Sequence, residues 1–124
     1  MESRNVRLNW RVMPSLAIAA RQALRKPGVY VLGEHRRSSG LITKLRWRYV
    51  GKSNDLRRRI CEHQPSVEAQ PQLRAWLKKC ELNRTIIEVW CAETQARYAK
   101  KVESDLISGL LADGHELLNI SENP

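Results

Sequence analysis

The chain has 124 residues, with 22 Lys and Arg against 13 Asp and Glu, a formal net charge of +9 and 42% hydrophobic residues; its pI is near 10.0. That length fits one domain, no apolar run approaches the ~18 residues of a bilayer span, and no low-complexity tail is present. The basic excess makes nucleic acid the leading partner, ahead of an ordinary basic surface or an anionic membrane. Arg4, Arg7 and Arg11 are followed by no uninterrupted apolar segment, so no secretion signal is read, and a cytoplasmic protein is expected, nucleoid-associated if bacterial. Cys61, Cys80 and Cys91 form no CxxC and are expected to be buried free thiols.

In chain order, residues 1–13 have no clean period, and Trp10 and Val12 either cover part of the core or belong to a mobile arm. Leu16, Ala19, Ala20, Ala23 and Leu24 have helical spacing, with Pro14 and Ser15 at the start and Pro27-Gly28 as the stop. Gly28 to Leu32 is a strand in which Tyr30 faces away from Val29 and Val31. Residues 33–44 read as a polar loop with a basic tip at Arg36 and Arg37, although Leu41 and Ile42 can extend the next strand backwards. In that strand Leu45, Trp47 and Tyr49 alternate with Arg46, Arg48 and Val50.

Gly51 permits a tight turn, and Ser53 or Asn54 is suited to cap a helix with Asp55 in its first turn. On that helix Leu56, Arg59, Ile60 and His63 share a face. After a break at Gln64-Pro65-Ser66, Pro71 to Glu81 forms an amphipathic helix. Leu73, Trp76, Leu77 and Cys80 face inward, and Arg74, Lys78 and Lys79 face outward. Trp76 is read as core. Thr85 to Ala92 is a third strand, apolar on both faces and therefore either central or partly covered on both. Thr94 is expected to cap a last helix running to Ala112, and Leu117 to Ile120 to pack back as a tail. Glu103 shares the apolar face of Ala99, Leu106, Ile107 and Leu110. A carboxylate there is costly unless it pairs with an arginine or binds a divalent cation. The chain divides into an arm and helix over 1–26, a domain over 27–120 and a tail over 121–124.

The chemistry converges on one stretch. A phenol at a strand end (Tyr49), Lys52 in the turn, and Arg59 and His63 on the inward side of a helix together suit a phosphodiester. They can bind an anion and move a proton.

The order of these parts resembles the GIY-YIG nuclease family: GVY at Gly28 to Tyr30, YVG at Tyr49 to Gly51, then Lys52, Arg59, His63, Glu103 and Asn119. The resemblance covers Pro27 to Ile120. It implies an α/β (α+β) domain with a three-stranded antiparallel sheet flanked by helices, and a metal-dependent endonuclease that cuts DNA to leave a 5′-phosphate. By position, Glu103 would hold one Mg²⁺ or Mn²⁺, which keeps water and phosphate as most of its ligands. Tyr30 and Tyr49 would line the attack side, one of them the general base, with Tyr30 favoured. A tyrosine of pKa ~10 needs Lys52, the metal or an acceptor such as His63 nearby. Arg59 would bind the non-bridging oxygens, His63 would relay a proton or contact phosphate, and Asn119 would orient the cluster. Structurally, the tyrosines could instead fill the sheet face, and Arg59 could pair with Glu103.

The hairpin between GVY and YVG is longer than the family usually has, these 124 residues are expected to leave no room for the separate DNA-recognition domain that many relatives attach, and Gln70 and Gln72 stand where some relatives place another catalytic side chain. DNA backbone contacts are expected from Arg36, Arg37, Arg46, Arg48, Arg57, Arg58, Lys78 and Lys79. DNA repair, restriction and mobile-element roles all stay open. One site cuts one strand, so duplex cleavage calls for a homodimer, a second visit or a protein partner. The alternatives are a non-cutting nucleic-acid-binding module on the same fold and an interaction domain for an acidic protein.

Overall fold

Four strands pair into one antiparallel sheet of order β1-β4-β2-β3 in a computed structural model that describes residues 1–38 and 41–121, apart from the side chains of 36–43 and 120–121. The elements are β1 (Arg11–Met13), α1 (Leu16–Gln22), β2 (Gly28–Ser38), β3 (Leu41–Ser53), α2 (Leu56–Cys61), α3 (Pro71–Leu82), β4 (Ile87–Glu93), α4 (Ala96–Ala112) and a 3₁₀ turn (Leu118–Ser121). The fold class is α+β, with one strand more than the three expected. Arg11, Val12 and Met13 pair with Cys91, Trp90 and Val89 of β4. A strand of three residues is too short to display a period of two, which is why residues 1–13 look patternless. Trp10 does cover core: it lies against Trp90, with ring centroids 6.0 Å apart. Its indole N–H donates to the Met1 carbonyl at 3.0 Å.

Within the polar segment, residues 33–38 and 41–44 are strand and not loop. The β2–β3 ladder runs on from Gly28↔Ser53 to Ser38↔Leu41, with the opposite charges of Glu34 and Arg46 facing each other across it. Backbone pairing and cross-strand pairs extend a hairpin whatever its hydropathy, so polarity alone misplaces its end.

The sheet is covered on both faces. Tyr30, Leu32, Val89 and Cys91 pack with α1, α2 and α3, while Val29, Val31, Val50 and Ala92 pack with Val102, Leu106 and Leu110 of α4. Tyr30 therefore faces away from Val29 and Val31, as its strand period requires. Simple alternation fails in β3. The register shifts between Leu32 and Gly33, whose partners are Tyr49 and Trp47, and Arg48 is left as an extra residue. This β-bulge sends Trp47 and Val50 to the α4 side and turns Tyr49 toward Tyr30.

Helix ends differ in detail from expectation. Ser15 is the cap of α1, and Asp55, not Ser53 or Asn54, caps α2 by accepting from Arg58 N–H at 3.1 Å. Gln95 precedes α4; the Thr94 N–H instead donates to the Pro27 carbonyl at 3.0 Å. Six residues make α2 too short to hold itself together. Burial of Leu56 and Ile60, worth about 1.5–3 kcal/mol each, fixes it against the sheet. Trp76 is core. Cys80 and Cys91 are buried, and burial pushes both thiols up to about 11. Cys61 is exposed, contrary to expectation, because its side chain leaves the Leu56–Ile60 face of a helix that ends there. Among the described residues, no helix is long and apolar enough to cross a membrane.

Candidate active site

Tyr30, His63 and Glu68 form a buried chain beneath the β2–β3 hairpin. Tyr30 is 1% exposed, His63 0% and Glu68 3%. β2 delivers the phenol to the helical face directly across from Gly51. A Cβ on residue 51 would stand 2.2 Å from Tyr30 Cζ and 2.3 Å from its hydroxyl, so only glycine fits over the ring. His63 lies just beyond the end of α2, its N–H held by the Ile60 carbonyl at 3.1 Å, and the docked helix aims its ring at Tyr30.

The Tyr30 hydroxyl is 2.7 Å from His63 Nε2, and His63 Nδ1 is 2.7 Å from Glu68 Oε1. Burial pulls the Glu68 carboxyl upward, but the Gln70 N–H, Arg59 and His63 outweigh it and hold the group below the usual carboxylate range. An ionised Glu68 only accepts, so Nδ1 carries the proton and Nε2 accepts from Tyr30. Burial, followed by the Arg59 charge, lowers the imidazole from 6.5 to about 4, so His63 is neutral near pH 7. Burial, then Tyr49, raises Tyr30 well above the ordinary 10.0, which keeps the resting phenol protonated.

Arg59 and Tyr49 complete this face. The guanidinium reaches Glu62 at 3.3 Å and both oxygens of Glu68 at 3.3 and 3.4 Å. Burial disfavours its charge, but Tyr30 and Glu68 more than restore it. Its structural partners are therefore Glu68 and Glu62 and not Glu103, the pairing raised as an alternative to a catalytic role; α2 and α4 pack on opposite faces of the sheet. Tyr49 lies edge-on to His63 with ring centroids 5.9 Å apart, and 6.2 Å from Tyr30.

Glu103 approaches from α4. Its carboxylate is half-buried, and among the described residues it has no hydrogen bond or ion pair, so the bridge to an arginine raised as the alternative to a metal is absent there. Burial raises its carboxyl, with Lys52 and Lys100 pulling the other way, and Glu103 itself adds to the upward shift of Tyr30. Lys52, paired across the ladder with Val29, is exposed. No three His, Cys, Asp or Glu side chains among the described residues gather to form a metal cage. A half-buried carboxylate tied into no ion pair among the described residues fits a hard cation that takes its other ligands from water and phosphate.

Asn119 grips β3. Its Oδ1 accepts from Val50 N–H at 2.8 Å and its Nδ2 donates to the Val50 carbonyl at 2.6 Å. β3 is an edge strand, and this carboxamide satisfies the outward backbone groups between Tyr49 and Gly51. Asn119 thus holds β3 between Tyr49 and Gly51.

The expected phosphate contacts are dispersed. Lys78, Lys79 and Arg58 are exposed, and Arg46 is half-buried. Arg57 Nε donates to the Ala23 carbonyl and Arg48 to the Glu116 carbonyl, both at 2.7 Å. The side chains of Arg36 and Arg37 lie outside those described. Gln70 is the cap of α3, accepting from Leu73 N–H, and Gln72 is exposed on its first turn.

Glu68 was not legible in the sequence. It sits in the irregular segment between α2 and α3, where neither helical nor strand period applies, and the one hint was a buried His63 in need of a second partner. Comparisons with protein-family models, with curated proteins and with solved structures find no match for this chain.

Proposed function

We propose that the chain is a metal-dependent DNA endonuclease of GIY-YIG type, on the strength of one observation: the Tyr30–His63–Glu68 chain, with Arg59 beside it. A phenol in contact with a neutral histidine, itself fixed by a carboxylate, is a base in waiting. As water attacks phosphorus, its proton goes to the Tyr30 oxygen while the Tyr30 proton passes to His63 Nε2. Glu68 steadies the imidazolium that results. Tyr30 takes this role because its hydroxyl has an acceptor at 2.7 Å. Tyr49 borders the phenol, its ring centroid 6.2 Å from that of Tyr30.

Arg59 takes the non-bridging oxygens as charge builds on them. The bond to the 3′ oxygen breaks, that oxygen takes a proton from solvent, and a 5′-phosphate remains. Mg²⁺ or Mn²⁺ held by Glu103 would supply Lewis-acid stabilisation of the phosphate. Exposed Lys52 lies next to Glu103 and contacts the same phosphate. The basic surface of Arg58, Lys78 and Lys79 holds DNA through its backbone, so affinity falls with salt. Duplex cutting proceeds through a homodimer or a recruiting partner.

Two observations favour the alternative, a module that binds nucleic acid without cutting. Arg59 is already satisfied by Glu68 and Glu62, and Tyr30 is 1% exposed. Turnover separates the two. Tyr30→Phe is expected to slow cleavage of labelled DNA by roughly 100-fold or more, the scale of general-base catalysis, with binding unchanged; Tyr49→Phe is expected to cost less. Binding by wild type without any cutting in Mg²⁺ or Mn²⁺ would favour the module.

A further inference from the structure

We propose that Glu68 is a positioning residue that links phosphate binding to proton acceptance: it holds Arg59 and His63 together, and a phosphodiester that draws Arg59 away leaves His63 as its one side-chain partner. The inference rests on the phosphodiesterase reading of the site. Its basis is an asymmetry around one carboxylate. The His63 contact is short, 2.7 Å, whereas the Arg59 contacts are 3.3 and 3.4 Å. Charge-assisted N–H to O⁻ bonds ordinarily run about 2.7–2.9 Å, so the guanidinium is the more loosely held partner. The Arg59 side chain is 25% exposed and that of Glu68 2%, so an anion arriving from solvent meets the arginine and not the carboxylate. The Gln70 N–H at 3.1 Å keeps Glu68 in place when Arg59 moves.

The consequence falls on His63. The groups around its ring are Tyr30 from β2, Tyr49 from β3, Arg59 and Glu62 from α2, and Glu68 from the segment before α3. Arg59 is the one cation of that set, and after burial it is the main reason the imidazole resists a proton. A phosphate that neutralises or displaces Arg59 removes that repulsion, and Glu68 then stabilises imidazolium without a competitor. Tyr30 thus gains a competent acceptor only once a phosphodiester is in place.

The test follows the His63 ring by NMR across pH, in EDTA, with and without a short DNA oligonucleotide whose binding is measured in the same samples. The titration midpoint is expected to rise by about one pH unit or more when the oligonucleotide is bound. In Arg59→Gln it is expected to be raised already, with no further rise on adding DNA. Glu68→Gln is expected to lower kcat by roughly 100-fold or more without raising KM, since it removes the imidazolium partner and frees Arg59 for phosphate. Bound oligonucleotide with an unmoved His63 midpoint overturns the coupling, as does an Arg59→Gln protein that titrates like wild type. The wild-type titration needs no variant to fold. Cutting in Mg²⁺ with an unmoved midpoint removes the coupling and leaves the nuclease; a moved midpoint without cutting removes the nuclease and leaves the coupling.

Discussion

The burial of His63 makes a quantitative statement about acid stability. The unfolded chain takes up this proton near 6.5 and the folded one near about 4, so between those values protons favour unfolding. The contribution is fully present above 6.5, shrinks as pH falls through the window and is gone below the folded value. At about 1.4 kcal/mol per pH unit the window is worth roughly 3 kcal/mol, of which about 2 is lost by pH 5. Glu68, held below the usual carboxylate range, loses its own contribution only at lower pH, so pH 5 isolates the histidine. The assay is urea unfolding of wild type and His63→Gln at pH 7 and pH 5. His35 and His115 are common to both proteins, so the difference between the two losses belongs to His63. Wild type is expected to lose about 2 kcal/mol more than the variant. Equal losses would mean that His63 is not a neutral ring enclosed between Tyr30 and Glu68.

Two further substitutions probe how the site is held. Gly51→Ala puts a methyl group 2.2 Å from Tyr30 Cζ, so the ring must move; a loss of about 1–3 kcal/mol in urea unfolding is expected, with cleavage falling more than DNA binding. Wild-type stability and rate in that variant would contradict the packing of Tyr30 under Gly51. Asn119→Ala strips two hydrogen bonds from the backbone of Val50, which is 0% exposed; about 2–3 kcal/mol of stability is expected to go, read from the shift in urea midpoint. A cost near zero would show that water replaces the carboxamide at that edge.

What was legible in the sequence was what obeys a period. Val29, Tyr30 and Val31 alternate, and Leu56 and Ile60 mark the buried face of α2 that brings Arg59 and His63 inward. Glu103 stood out because it interrupts an apolar stripe, and the structure leaves it half-buried without a bridge. What broke a period was hidden. Strict alternation put Tyr49 with Trp47, whereas the extra residue Arg48 reverses it, and it is this bulge that brings the two tyrosines to one face. Glu68 lies in irregular chain, so its contacts with His63 and Arg59 depend on tertiary packing that no local pattern encodes. The strand Arg11–Met13 exists because β4 offers it a free edge, again a long-range cause.

The most direct measurement of the central claim is cleavage of labelled single-stranded, duplex and flap DNA in Mg²⁺ or Mn²⁺, beside EDTA and a Glu103→Ala protein. The expected result is cutting of at least one substrate to 5′-phosphate ends, abolished both by EDTA and by the substitution while DNA remains bound. Cutting that survives in Glu103→Ala, or no cutting of any substrate with equal DNA binding by both proteins, would contradict it.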